Sequence, residues 1–202
     1  SYDLFKDLKN VRVNPDMIFS LNTNNIEIKE EKNVVISVIN CRNRFEEETS
    51  NKYEKLIIDL IKKFDENKYT ITLMSFCKYE GDEEAIENIL NKIKSKRLKN
   101  KIKQYNYDGN IEEALNTLGN SQIIVGSRFH ANVLGLVMNK TVLPIAYSDK
   151  TINMGIDAQD LYYSLEILKN NFQTFFSPFF IVYMLIIQGL KMYLNEKGFV
   201  YQ

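Results

Sequence analysis

Apolar residues along this chain alternate between two spacings. Val34-Val35-Ile36-Ser37-Val38-Ile39 is a nearly continuous apolar run, the pattern of a strand buried on both faces. Leu56, Ile57, Leu60, Ile61 and Phe64 then recur at helical spacing and predict a helix over 53–64. Residues 69–76 are β-branched and aromatic and read as a second strand. Ile86, Ile89, Leu90 and Ile93 share one face of a predicted helix over 82–96. A weak third strand follows at 101–105, then a helix over 110–118 that Asn110 can cap. A fourth strand at 123–125, a helix at 129–138 and a fifth strand at 142–146 complete the series. Strand and helix in strict alternation predict an α/β fold: a Rossmann-like, mostly parallel sheet with helices on both faces.

The flanks break this rhythm. Residues 2–8 resemble the end of a helix, and 11–21 an extended stretch interrupted by Asn14-Pro15-Asp16. Residues 22–32 are polar and charged and read as a linker. The expected division is therefore 1–32 as the end of a preceding domain and a bridge, 33–165 as the Rossmann-like domain, and 166–202 as an apolar helical tail. Within that tail the stretch 172–190, which opens on Phe172 and closes on Leu190, carries no charge and lies between Lys169 and Lys191. Pro178 and Gln188 interrupt it, and its densest core, 179–187, is too short to cross a bilayer. It reads as a helix packed on the protein or on an oligomer partner, with a membrane-surface helix as the alternative.

Charge adds a constraint. Lys+Arg and Asp+Glu both number 26 in 202 residues, which argues against a nucleic-acid partner, since that usually needs a net basic field. Cys41 and Cys77 lack zinc-site spacing and form no disulfide framework; they read as reduced thiols of a cytoplasmic protein. Ser1 opens into a charged segment rather than a secretory leader. With a single histidine and no acidic Asp-x-Asp cluster, no metal is expected.

In parallel sheets, ligands bind beyond the carboxyl ends of the strands. There the sequence places Arg42 and Arg44 after the first strand, Ser75 to Lys78 after the second, and Ser127, Arg128 and His130 after the fourth. Asp149 and Lys150 follow the fifth. Cations gathered at strand ends, beside a helix start with free N–H groups, point to a small anionic ligand. Arg128 is the leading candidate for a phosphate or carboxylate, with Arg42, Arg44 and Lys150 as further anion ligands. Ser127 offers a hydroxyl or a backbone N–H. His130 is a candidate proton donor or phosphate ligand. The plain alternatives are an Arg128 paired with a nearby acid, a supporting histidine, and surface charge at Arg42 and Arg44. Tyr147 could stack on a sugar, and the charge run over 92–103 reads as a solvated helix face.

Gly126-Ser127-Arg128-Phe129-His130-Ala131, followed by Val142-Leu143-Pro144-Ile145 and Tyr147-Ser148-Asp149-Lys150, resembles the polysaccharide pyruvyl transferase family. Ser1-Tyr2-Asp3-Leu4, Pro15-Asp16-Met17-Ile18-Phe19 and Asp108-Gly109-Asn110-Ile111-Glu112-Glu113-Ala114-Leu115 also fit, so the resemblance spans roughly 2–153. It implies a GT-B-like architecture of two Rossmann-like domains, of which this chain would supply mainly the donor-binding, C-terminal half. It also implies transfer of a pyruvyl group from phosphoenolpyruvate to a glycan or lipid-linked sugar, forming a ketal in cell-envelope polysaccharide synthesis. Phosphoenolpyruvate is then a substrate, and no cofactor is implied. Arg128 and His130 take the catalytic roles, in a cytoplasmic enzyme that reaches the membrane surface, if at all, through its tail. The tail departs from the family pattern. The alternatives are a GT-B glycosyltransferase using a nucleotide-sugar and a non-catalytic half domain that binds an anion or a partner protein.

Overall fold

A computed structural model describes Ile18, Leu21 and residues 32–145. Five strands alternate with helices in chain order: β1 (Asn33–Ser37), α1 (Glu47–Glu66), β2 (Thr70–Ser75), α2 (Asp82–Lys92), α3 (Lys96–Lys101), β3 (Lys103–Asn106), α4 (Ile111–Gly119), β4 (Ile123–Gly126), α5 (Phe129–Val137) and β5 (Thr141–Pro144). One-turn 3-10 segments at Cys41–Asn43 and Lys78–Glu80 follow β1 and β2.

The sheet is parallel throughout, in the order β3-β2-β1-β4-β5. It is a doubly wound α/β domain, as the alternation predicts. The period-two geometry of a strand sorts its side chains onto two faces. Val34, Ile36 and Val38 join Leu73, Val125 and residues of α1, α2 and α3, including Ile57, Ile61, Phe64, Ile86, Ile89 and Leu98. Val35, Met74 and Ile124 face Ala114 and Leu118 of α4 and Ala131 of α5. Each large aliphatic or aromatic side chain buried this fully contributes about 1.5–3 kcal/mol.

Two elements differ from the sequence expectation. Helix α1 begins at Glu47, six residues before the apolar spacing becomes visible, because its first turns are largely exposed. Glu47 and Glu48 there favour a helix start through the positive end of the dipole. The predicted helix over 82–96 ends instead at Lys92, where Ile93 turns extended at φ −78° and ψ 109°. Ser95 then caps α3 by accepting a hydrogen bond from the Leu98 amide at 3.3 Å. The charged run over 92–103 is thus a helix end, a break, a second helix pinned by buried Leu98, and the start of β3. Residues 1–17, 19–20, 22–31 and 146–202, which hold nearly all of the predicted bridge and the whole apolar tail, lie outside the described residues; no described helix is long and apolar enough to cross a membrane.

Candidate functional site

The strand order reverses between β1 and β4, where the chain leaves the two strands toward opposite sides of the sheet. Such a switch point opens a crevice beyond the carboxyl ends. Ser37 pairs in register with Gly126 at this edge, and Arg128 is held directly above it. The Ser127 amide donates to the Ser37 carbonyl at 3.1 Å, and the Arg128 amide donates to Ser37 Oγ at 3.3 Å. Gly126 is required by close approach: a Cβ here would fall on Asn132 Oδ1. Buried Asn132 donates from Nδ2 back to the Gly126 carbonyl at 2.9 Å, tying the first turns of α5 to the end of β4.

Arg128 is the N-cap residue of α5, and its side chain is only 11% exposed. Its guanidinium forks onto Asp82 at the start of α2: Nε donates to Oδ2 at 2.8 Å, and Nη2 to Oδ1. The remaining terminal nitrogen, Nη1, pairs with Glu80. Asp82 is fully buried and also accepts the Phe76 and Cys77 amides at 3.2 and 3.0 Å. The loop after β2 and the helix start after β4 are therefore locked to each other through one carboxylate. Burial opposes the charge on Arg128, but Asp82 and Glu80 outweigh it and hold its pKa above the ordinary arginine value. Arg128 in turn holds the Glu80 carboxyl below the usual glutamate range.

The two arginines after β1 part company. Arg44 Nη2 reaches the same Glu80 oxygen that Arg128 holds. Arg42 turns onto α1, donating to Glu54 at 2.8 and 3.1 Å and to Asn51 at 2.9 Å. Lys92 joins it on Glu54 Oε2 and Asn51 Oδ1. Burial alone would raise the Glu54 pKa, but these two cations overcome it and lower it. Cys41 lies buried beside this brace, and burial with the Glu54 charge pushes its thiol up to about 12.

Ser127 is wholly buried, and its hydroxyl meets Tyr53 at 2.8 Å. Tyr53 Oη accepts the Ile39 amide at 3.1 Å, so this pair braces the β1 and β4 ends from beneath. Burial raises the Tyr53 pKa, keeping the phenol neutral. His130 lies exposed in the first turn of α5, its ring edge-on to Phe129 with centroids 5.8 Å apart. The structure thus brings Arg44 and Arg128 together on Glu80 at the β1 and β4 ends and leaves His130 exposed two residues further on, while Arg128 is paired with the acids Asp82 and Glu80, Arg42 braces α1 and the Ser127 hydroxyl faces inward. Lys150, Tyr147 and Asp149 lie outside the described residues.

Sequence reasoning passed over Glu80, Asp82, Tyr53 and Asn132. Asp82 carried one readable signal: an acidic residue directly after a glycine at a predicted helix start, close behind a strand end. Its pairing with Arg128 spans 46 residues and is fixed only by the sheet order. Among the described residues, no cluster of His, Cys, Asp and Glu could hold a metal ion.

Fold and site together define a doubly wound α/β domain whose switch point is lined by arginines and one histidine. The family model for polysaccharide pyruvyl transferase matches residues 1–149, and the chain belongs to that family. No curated protein and no solved structure matches the chain significantly.

Proposed function

We propose that the protein transfers a pyruvyl group from phosphoenolpyruvate to two hydroxyls of a polysaccharide sugar or its lipid-linked precursor, and that the described domain binds the donor. The observation that carries this reading is the meeting of Arg44 and Arg128 on Glu80 at the β1–β4 switch point, with exposed His130 two residues further on in the first turn of α5. The donor carries a carboxylate and a phosphate, the acid groups that guanidinium side chains bind, and here Arg44 and Arg128 hold carboxylates of this chain, Glu80 and Asp82. Lys150, following β5 in sequence, adds a further cation for the phosphate. A GT-B-like second domain would carry the acceptor, and reaction on the cytoplasmic side fits an intracellular donor.

The chemistry follows from the donor. His130 delivers a proton to the methylene carbon, so C2 becomes electrophilic and the methyl group forms. One sugar hydroxyl adds to C2 and loses its proton. The C2–O bond to phosphate then breaks, and the second hydroxyl closes the ketal. One acceptor proton replaces that given by His130, and the other leaves with inorganic phosphate. Arg128, oriented by Asp82, holds the donor acid group in place through these steps. No metal or cofactor is needed to balance them.

The test is transfer from [2-13C]phosphoenolpyruvate to cell-envelope glycan, followed by carbon NMR. A ketal carbon signal appearing in step with phosphate release is the expected result. Phosphate release without a ketal, or transfer of a sugar from a nucleotide-sugar instead, contradicts the reading.

A further inference from the structure

Glu80 and Asp82 both hold Arg128, but they are held very differently. Asp82 is fully buried and fixed by two backbone amides. Glu80 is 42% exposed and stands on the one-turn segment Lys78–Glu80 that follows β2. Its Oε2 alone accepts from both Arg44 Nη2 and Arg128 Nη1. The two arginines come from the ends of different strands, β1 and β4, and meet on one oxygen supplied by a third segment. This is the arrangement in which two guanidinium groups share an oxygen of a bound carboxylate or phosphate.

We propose that Glu80 is a built-in occupant of an anion subsite formed by Arg44 and Arg128, and that an acidic group of the donor displaces it. The inference rests on the donor reading above and adds how the site stays closed before the donor arrives. Charge explains why the exchange is feasible. Two arginines, Asp82 and Glu80 sum to zero, so expelling Glu80 without a replacement leaves a net positive charge. An incoming carboxylate restores the balance, and a phosphate dianion exceeds it. The released Glu80 moves into water, where its charge is solvated, whereas Asp82 stays and keeps Arg128 aimed. Glu80 therefore lowers apparent donor affinity by competition and keeps the two guanidinium groups from collecting unrelated anions.

The experiment measures binding of phosphoenolpyruvate, pyruvate and inorganic phosphate by calorimetry. Wild type is compared with Glu80→Gln and Glu80→Ala, and with Arg44→Gln placed in the Glu80→Gln background. Removing the competing charge is expected to tighten donor binding about tenfold, the factor equivalent to roughly 1.4 kcal/mol. Arg44→Gln should then abolish the gain. A gain with pyruvate but not phosphate assigns the subsite to the donor carboxylate, and the reverse assigns it to the phosphate. Wild type that binds phosphoenolpyruvate, with both Glu80 variants no tighter, overturns this inference and leaves the donor reading standing. Phosphate tightened by Glu80→Gln, with phosphoenolpyruvate bound by neither protein, keeps the subsite and overturns the donor reading. No anion bound by any form overturns both.

Discussion

Replacing Asp82 by Asn tests the central joint of the domain. The carboxylate is fully buried and serves four donors: Arg128 Nε and Nη2 and the Phe76 and Cys77 amides. An amide keeps one acceptor oxygen and turns the other into a donor. With its oxygen at the Oδ2 position it keeps both loop amides and Arg128 Nε, but its NH2 then faces Arg128 Nη2, donor against donor. The change also strips a charge from Arg128, whose side chain is only 11% exposed. Breaking a buried ion pair from one side costs about 3–5 kcal/mol. Glu80 remains as a partial counterion, so the lower end, about 3 kcal/mol, is expected. With a urea m-value of about 2 kcal/mol/M, the midpoint falls by roughly 1.5 M. Glu80→Gln removes a carboxylate that is itself 42% exposed and leaves Asp82 on Arg128, and should cost no more than about 1 kcal/mol. Asp82→Asn combined with Arg128→Met should cost less than the two singles together, by about 1 kcal/mol or more. A midpoint shift below about 0.5 M for Asp82→Asn at unchanged m would refute the reasoning.

Gly126→Ala places a Cβ on the Asn132 side chain and should destabilise by about 1–3 kcal/mol in chemical denaturation. Adding Asn132→Ala should recover part of that loss, and no recovery argues against the close approach. The Cys41 thiol, raised to about 12 by burial, stays protonated and unreactive at pH 8 while the fold holds. Iodoacetamide with mass spectrometry should therefore label the partly exposed Cys77 first and reach Cys41 only on unfolding; equal labelling in the native protein contradicts the buried placement. His130→Gln should slow the chemical step about 10²–10⁴-fold and leave donor affinity within a few fold. Loss of affinity with turnover intact would make His130 a phosphate ligand instead. Because His130 is exposed, its stability effect should stay within about 0.5 kcal/mol.

Most of the fold was legible because buried strands and amphipathic helices leave periodic marks. The run Val34 to Ile39 and the spacing of Leu56 to Phe64 could hardly be read otherwise. The break at Ile93 was not, because Lys92 to Lys101 carries few apolar positions and the cap at Ser95 is a single local signal. The strand-end rule placed Arg42, Arg44, Arg128 and His130 beyond the ends of β1 and β4, where the structure has them. It could not say which cations stay together. Arg42 and Arg44 are two residues apart, yet one binds Glu54 on α1 and the other Glu80 across the crevice. That choice depends on where α1 and the β2 loop lie, which is information carried by the sheet order. The same holds for Ser127, whose burial follows from its contact with Tyr53, 74 residues away in sequence.

The most direct measurement is calorimetric titration of the protein with phosphoenolpyruvate and with a panel of nucleotide-sugars, for wild type and Arg128→Lys. The account expects phosphoenolpyruvate to bind in competition with inorganic phosphate. Arg128→Lys should weaken that binding, because a point charge loses the planar fork. Arg128→Ala should lose about 1.5–3 kcal/mol. A nucleotide-sugar bound in place of phosphoenolpyruvate, or donor affinity unchanged in a folded Arg128→Ala protein, would contradict it.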